Sequence, residues 1–318
     1  MSRVRLSDGE VAAEIERITG RLRELVRRRL RRRGAVVGIS GGIDSSVVAA
    51  LCARALGPEH VLGLTMHERE SSDDTRRLAR ALIDRLGIAH CDEPITPLLA
   101  AAGCYERRDR AIRRVVPGFG DGWGCKLVLP SLLDGDQLRI FTAVVRSPQG
   151  NETRVRLPPE SYLEVVAATS FKQRTRKMLE YFHADRLGYA VAGTPNRLEY
   201  ALGFFVKNGD GAADFKPIAH LYKTQVYQLA AALGIPREIC ERPPTTDTYS
   251  LSQSQEEFYF AVPLAILDEC LHGVEHGASV SELAAQVGLE DAQVARIVRD
   301  IAAKQAAAAY LHEPPMLV

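Results

Sequence analysis

The sequence predicts an α/β protein with a doubly wound parallel sheet, an N-terminal helix and a C-terminal helical part. Apolar runs typical of buried strands alternate with helix patterns through the first half of the chain. A glycine turn joins the first of these strands directly to a helix, and from residue 255 onward the pattern is helical. Alternation of this kind favours parallel strands joined by crossover helices.

The predicted elements follow in chain order. Helices are predicted over 8–33, 45–56, 73–86, 196–206, 223–233, 256–271, 280–287 and 291–311, and strands over 35–39, 60–66, near 89–95 and over 189–192. Strand-like alternation around the sequence PQGN at 148–151 predicts a β-hairpin insertion near 126–160, and the basic cluster at 172–177, which contains Arg174, is expected to precede a further helix. We therefore expect one α/β domain over 1–250 and a helical extension over 251–318.

Composition restricts the class of protein. The chain has 318 residues, 46% of them hydrophobic, and a net charge of +1. It has no stretch of 18 apolar residues and no apolar signal segment at its N-terminus, which predicts a cytoplasmic protein without membrane contact. The small net charge argues against general nucleic-acid binding, and the basic run at 27–33 complements the dipole of the first helix. Six cysteines without a C-x-x-C pair give little support to disulfides or to zinc.

The glycine turn reads SGGIDS and lies between the first strand and the helix that follows it. Such a junction presents unpaired N–H groups and the positive end of a helix dipole, and Gly41 and Gly42 let a phosphate approach the main chain. Asp44 would be repelled by phosphates unless a divalent cation such as Mg²⁺ lay between them. The predicted ATP-binding residues of this loop are Gly38, Ile39, Ser40, Gly41, Gly42, Ile43, Asp44 and Ser45.

No Walker lysine follows the loop, and SGGxDS without that lysine resembles the PP-loop of the ATP pyrophosphatases. A second block selects one subfamily. The sequences GTPNRLE at 193–199, KNGDGAAD at 207–214, KPIAHLYKT at 216–224 and PPTTD at 243–247 resemble segments of the NAD synthases. The resemblance implies a ligase that adenylates the carboxylate of deamido-NAD with ATP and then transfers ammonia.

The resemblance also implies roles for residues beyond the loop. Asp44 and Glu199 would hold Mg²⁺, and Asp44 and Lys223 would serve catalysis. Thr194, Lys223 and Thr245 would contact ATP. The dinucleotide substrate would be bound by Arg174, Lys207, Asp214 and His312. The family is homodimeric, so the resemblance implies a homodimer.

Two departures leave the acyl substrate open. The 126–160 insertion precedes Arg174 directly, and Glu313 stands where the family has a lysine after His312. The alternatives are an adenylating amide ligase for another carboxylate, a tRNA-modifying ATP pyrophosphatase and a noncatalytic nucleotide sensor. No glutaminase domain fits beside the synthase core, so free ammonia or a separate glutaminase would supply nitrogen.

Overall fold

The computed structural model describes residues 3–135, 142–246 and 248–317. Residues 136–141 of the predicted insertion and Asp247 of the PPTTD motif lie outside the described residues. The predicted α/β class is confirmed, since a parallel sheet of four strands forms the centre of the fold. A second, antiparallel sheet of three strands lies in the insertion.

The elements are numbered in chain order. The helices are Asp8–Glu24 (α1), Ile43–Leu56 (α2), Asp73–Leu86 (α3), Thr96–Ala101 (α4), Cys104–Arg113 (α5), Pro159–Leu187 (α6), Arg197–Leu202 (α7), Lys223–Ala232 (α8), Arg237–Glu241 (α9), Leu264–Glu275 (α10), Val280–Val287 (α11) and Asp291–His312 (α12). The strands are Ala35–Gly38 (β1), Val61–Thr65 (β2), Ala89–Asp92 (β3), Gly124–Val128 (β4), Thr142–Arg146 (β5), Glu152–Arg156 (β6) and Ala190–Ala192 (β7). Short π-helical turns cover Leu25–Arg29 and Glu256–Phe260.

The parallel sheet has the strand order β3-β2-β1-β7. Successive crossovers from β1 lead outward through β2 to β3, whereas β7 pairs with the other side of β1, with Ala35 opposite Ala190. The strand order therefore reverses between β1 and β7. In open α/β sheets, ligands bind beyond the carboxyl ends of the strands at this switch point, so the fold alone places a site after Gly38 and Ala192.

Helix α2 is buried on almost every side. It packs between the sheet and helices α1 and α8, and Leu51 and Val47 at its centre have no exposed surface. A helix that is apolar all round belongs in a core. Burial of α2 fixes the position of its first turn, which begins directly after the glycine loop.

The predicted hairpin is confirmed. Strands β5 and β6 pair antiparallel through a turn at 147–151, where Ser147 N–H donates to Asn151 O at 2.9 Å. Strand β4 pairs with the other edge of β5. Leu127 and Val145 of this small sheet share a buried core with Ile112 of α5 and with Tyr249. The insertion is therefore packed against the main body rather than projecting from it.

Three predicted helix boundaries are wrong. Arg174 was expected before a helix, but it lies inside the 29-residue helix α6. The helix predicted over 256–271 is broken, because Ala261 adopts a left-handed backbone and Pro263 has no N–H to donate. The helix predicted over 196–206 ends at Leu202, where Gly203 takes a left-handed conformation.

The C-terminal helices share a core with the elements that line the site. Leu198 and Leu202 of α7 pack with Leu267 of α10 and Ile297 and Ile301 of α12. The domain division at residue 250 stays a prediction. Among the described residues, no helix is long and apolar enough to cross a membrane.

Replacing Leu127 tests whether the insertion unfolds together with the rest of the chain. The side chain is 1% exposed, so Leu127→Ala should lower the free energy of unfolding by about 2–5 kcal/mol. Urea unfolding should show one shifted transition by both circular dichroism and fluorescence. Thr153→Ala, on the exposed face of β6, is the control and should change stability by less than about 0.5 kcal/mol. A separate early transition in Leu127→Ala would instead show an independently folding insertion.

Candidate active site

The loop between β1 and α2 is held by its own serines. The Ser45 hydroxyl donates to Gly42 O at 3.0 Å, and it lies 3.2 Å from the Ser40 hydroxyl, which accepts from Gly42 N–H at 3.3 Å. No side chain caps the start of α2. The first N–H groups of the helix are therefore available to an anionic ligand.

Gly41 is required by the shape of this loop. Its φ is +70°, a left-handed value that favours glycine. A Cβ at this position would also lie 2.6 Å from the carbonyl oxygen of Thr75 in α3. The loop thus passes directly over the start of α3, and a larger residue would displace it.

Asp44, in the first turn of α2, meets side chains from two distant segments. Its Oδ2 forms an ion pair with the Lys223 ammonium of α8. Its Oδ1 accepts a hydrogen bond from the Asn196 amide at 3.0 Å. Lys223 is 2% exposed, so its ammonium is buried, whereas the Asp44 side chain is 16% exposed. Burial alone would lower the pKa of Lys223, but the carboxylates of Asp44 and Glu199 raise it above its ordinary value.

Glu199 lies beside Asp44 through a shared neighbour. Asn196 caps α7 and donates its backbone N–H to Glu199 Oε2 at 3.1 Å, while Gln255 donates to Glu199 Oε1 at 3.0 Å. Burial, together with the charge of Asp44, raises the pKa of Glu199 to about 8. Two carboxylates that follow β1 and β7 therefore converge at the switch point, where they form a donor set suited to a hard cation.

Lys223 is the first residue of α8, and its backbone is anchored by a third carboxylate. Asp268 of α10 accepts hydrogen bonds from Lys223 N–H at 3.1 Å, from Thr224 N–H at 2.7 Å and from the Thr224 hydroxyl at 2.7 Å. Asp268 has no exposed surface, and burial raises its pKa to about 6. It serves as a helix cap donated by a different helix.

These groups open into a cavity of about 460 Å³. Its lining contains the predicted ATP residues Gly38, Ile39, Ser40, Gly42, Ile43, Asp44, Ser45, Thr194, Lys223 and Thr245, together with Glu199. Gly41 is absent from the lining because it faces α3. Among the described residues, the Thr246 hydroxyl and Gln255 Oε1 are buried in this wall without a hydrogen-bond partner. Unpartnered buried polar atoms of this kind are explained by a ligand or by water.

A buried charge network reaches the cavity through Lys172 and Thr248. Lys172 of α6, 1% exposed, donates to Glu68 at 2.9 Å, to Glu70 at 2.6 Å and to Thr248 O at 2.8 Å. Arg108 of α5 donates to Glu70 at 2.5 Å. Burial would raise the pKa of Glu70, but the two cations hold it below its ordinary value. The network connects the loop after β2 to α5 and α6.

Three of the predicted substrate residues gather outside the cavity lining. Arg174 donates to Lys207 O at 3.3 Å, and the Lys207 ammonium donates to the carbonyls of Tyr310 and Glu313 at 2.8 and 3.0 Å. His312 lies 2.9 Å from Tyr200 O. The end of α12 therefore covers Lys207, and the three basic residues form a group at the rim.

Asp214, the fourth predicted substrate residue, has a different position. Its carboxylate accepts from Val191 N–H at 2.7 Å, and its own N–H donates to Val191 O at 2.9 Å. Asp214 therefore pairs with the backbone N–H and C=O of Val191 on the edge of β7 that does not face β1. Its place in substrate binding stays a prediction.

Sequence reasoning assigned no role to Asn196, Gln255 or Asp268. The pattern N-R-L-E, with an amide three residues before a glutamate, is a signal for the capping box that Asn196 forms. Gln255 and Asp268 come from segments far along the chain, and no local pattern connects them with Glu199 or Lys223.

Comparison with known proteins identifies the family. The NAD synthase family model matches residues 14–114 and 149–307. The NH(3)-dependent NAD(+) synthetase of Mesorhizobium japonicum is 57% identical over 308 residues, covering 97% of each chain. Two solved structures share the fold. The NMN synthetase of Francisella tularensis has a TM-score of 0.61 at 20% identity and covers 99% of each chain. The NH3-dependent NAD synthetase of Campylobacter jejuni has a TM-score of 0.60 at 21% identity and covers 96% of this chain and 99% of its own.

The two solved structures are named for different products, so likeness of fold does not choose between substrates. Likeness of sequence over nearly the whole length is a stronger criterion, and the residues that meet in the cavity are those of the SGGIDS, GTPNRLE and YKT segments. This chain belongs to the NAD synthase family.

Proposed function

We infer that this chain catalyses the ATP-dependent amidation of deamido-NAD by ammonia, giving NAD, AMP and pyrophosphate. One observation carries this assignment: Asp44, Lys223 and Glu199 lie together at the N-terminus of α2, which has no side-chain cap. The chain in which they do so is 57% identical to an ammonia-dependent NAD synthetase. The enzyme is a ligase that forms a C–N bond.

The reaction has two displacements. A carboxylate oxygen of the substrate attacks the α-phosphorus of ATP, the bond to the β-phosphate bridging oxygen breaks, and pyrophosphate leaves. The nitrogen of ammonia then attacks the acyl carbon, the bond to AMP oxygen breaks, and the amide nitrogen loses a proton. No side-chain nucleophile is needed, because the protein acts by positioning and electrostatics.

Each group of the site has a proposed part in the first displacement. The serine-glycine loop and the first N–H groups of α2 bind the phosphates. Lys223 places a buried ammonium beside them, where it stabilises the charge that develops on pyrophosphate. Thr194 and Thr245, which also line the cavity, would contact the nucleotide.

The donor set also fits Mg²⁺. Asp44 and Glu199 supply carboxylate oxygens on one side of the cavity, and Mg²⁺ is bound in such sites by one or two carboxylates together with phosphate oxygens. When bound, the ion would neutralise phosphate charge. Asn196 orients both carboxylates, since it donates its amide to Asp44 and its backbone N–H to Glu199.

The remaining parts of the assignment concern the substrate and the assembly. Arg174, Lys207 and His312 would bind the anionic dinucleotide at the rim, with Asp214 near β7. As in the resemblance, the enzyme would be a homodimer in the cytoplasm. It would use free ammonia or ammonia from a separate glutaminase.

The activity is tested with purified protein, ATP, Mg²⁺, ammonia and deamido-NAD. AMP and NAD should form in equal amounts. Asp44→Asn and Glu199→Gln should each lower the rate of AMP formation at least about 100-fold, because each removes a carboxylate that would hold Mg²⁺ against the reacting phosphates. Asp84→Asn, on the exposed face of α3, is the control and should keep the wild-type rate.

Two results would contradict this assignment. AMP formation from another carboxylic acid, without turnover of deamido-NAD, would select a different substrate. Wild-type rates in both Asp44→Asn and Glu199→Gln would remove the two carboxylates from the reaction.

Asp268→Asn should slow adenylation without removing any group of the cavity. In the wild type, backbone N–H groups of Lys223 and Thr224 donate to the Asp268 carboxylate. The amide N–H₂ of an asparagine cannot accept these hydrogen bonds, so the variant would hold the first turn of α8, and with it Lys223, less firmly. We expect a fall in kcat of about tenfold or more and little change in KM for deamido-NAD. Glu282→Gln alters a similar cap on α11, away from the cavity, and should leave kcat unchanged.

Asp268 also predicts a dependence of stability on pH. Burial raises its pKa from 3.8 to about 6, so the folded protein holds this proton more tightly than the unfolded chain does. The stabilisation is full below about pH 4 and is lost as the pH rises through about 6. The free energy of unfolding of the wild type, measured relative to Asp268→Asn by urea titration, should therefore decrease from pH 4 to pH 7. A constant difference would contradict the burial of a titrating carboxyl.

Lys207→Ala should separate the two substrates. Lys207 lies at the rim with Arg174, outside the lining of the ATP cavity. We expect KM for deamido-NAD to rise at least about tenfold, while KM for ATP stays within about twofold. The control is Arg21→Ala on the exposed face of α1. Equal rises of both KM values would assign Lys207 a structural role in holding the end of α12.

A further inference from the structure

A second group of reactive side chains lies apart from the active-site cavity. Cys91 in strand β3, Glu93 just after it and His183 in helix α6 bring their ligand atoms within 4.8 Å of one another. Cys91 and Glu93 are two residues apart in extended backbone, so their side chains leave the same face of the strand. Glu93 continues the pairing with β2 through its N–H, which donates to Thr65 O at 2.8 Å. None of the three residues lines the active-site cavity.

The spacing of the three atoms suits a tetrahedral metal. Cys91 Sγ lies 3.9 Å from His183 Nε2 and 3.8 Å from Glu93 Oε1, and His183 Nε2 lies 2.8 Å from Glu93 Oε1. Ligands on a tetrahedral Zn²⁺ are about 3.3–3.6 Å apart, given Zn–S near 2.3 Å and Zn–N or Zn–O near 2.0 Å. Each separation therefore needs to change by about half an ångström or less.

The chemistry of the set is equally selective. A thiolate, an imidazole and a carboxylate are the three ligand types of zinc, and together they disfavour Mg²⁺, which binds oxygen. His183 is buried, whereas Cys91 and Glu93 are partly exposed, so a metal can reach the cluster from solvent. Three protein ligands leave one coordination position for water.

We propose that Cys91, Glu93 and His183 form a binding site for a divalent transition metal of the zinc type. The ion would join the end of strand β3 to helix α6. Glu180, one turn before His183 on α6, lines the active-site cavity. The site is thus separate from the reaction centre but lies on a helix that reaches it, and its existence does not depend on the reaction assigned above.

Binding requires two proton movements. Without metal, Arg186 donates to His183 Nδ1 at 2.9 Å, so the ring proton is on Nε2 and points to Glu93. On binding, the Cys91 thiol releases its proton to solvent and the His183 proton moves from Nε2 to Nδ1. The exposed Arg186 side chain then turns away, because a guanidinium cannot accept that proton.

Cobalt(II) titration of the complete protein tests this site. Co²⁺ replaces Zn²⁺ in such sites, and a thiolate ligand gives an absorption band that oxygen and nitrogen ligands alone do not give. The band should appear with one equivalent of Co²⁺ in the presence of excess Mg²⁺ and should disappear when Zn²⁺ is added. The pair Asp44 and Glu199 contains no sulfur, so it cannot produce this signal.

Variants identify the ligands. Cys91→Ser should abolish the band, and His183→Gln should weaken Co²⁺ affinity at least about tenfold. Cys240→Ser is the matched control, because Cys240 is also a partly buried free thiol, and it should behave as the wild type. Arg186→Gln should tighten binding, since a glutamine oxygen can accept the Nδ1 proton.

Thermal unfolding tests the site without relying on the Co²⁺ absorption band. Zn²⁺ should raise the unfolding temperature of the wild type and of Cys240→Ser, but not that of Cys91→Ser, because a ligand that binds only the folded state stabilises it. Absence of the cobalt band in the wild type, or a band of equal strength in a folded Cys91→Ser protein, would overturn the proposal.

Discussion

The active site depends on one interaction, the ion pair between Asp44 and the buried Lys223, with Glu199 beside it. Buried charges are costly unless each finds a partner. Here the partners come from α2 and α7, the helices that follow the two strands at the switch point, and from α8. The strand order and the first turn of α8 must therefore both be correct before the pair can form. The chemistry of the site is therefore tied to the topology of the whole sheet.

The C-terminal helices belong to this arrangement. Asp268 of α10 fixes the backbone of Lys223, and Gln255 donates to Glu199. Two residues from the C-terminal part of the chain thus position Lys223 and Glu199, which belong to the α/β part. A chain cut after residue 250 would keep the phosphate loop but would lose both supports.

The ATP-binding part of the site was predictable because its residues lie in short continuous segments of the sequence. SGGIDS joins one strand to one helix, and GTPNRLE does the same after β7, so local pattern alone placed Asp44 and Glu199 at strand ends. The parallel direction of the strands followed from alternation, whereas their order, β3-β2-β1-β7, was not predicted. The boundaries of α6 did not, because that helix carries charged residues such as Lys172 on its buried side, and a binary pattern assigns those to solvent. Contacts between distant segments, such as Cys91 with His183, leave no signal in either segment.

Lys223, the first residue of α8, is unfavourable for the stability of that helix, and this indicates that the residue has a function. Its charge faces the positive end of the helix dipole, where an acidic residue would be favoured. The structure offsets this cost with two carboxylates: Asp268 accepts the backbone N–H groups of the first turn, and Asp44 pairs with the ammonium. With a neutral residue at 223, Asp44 would have no cation to pair with. Because the fold supplies both, the ammonium is held at the phosphate loop in a position that helix stability alone would not select.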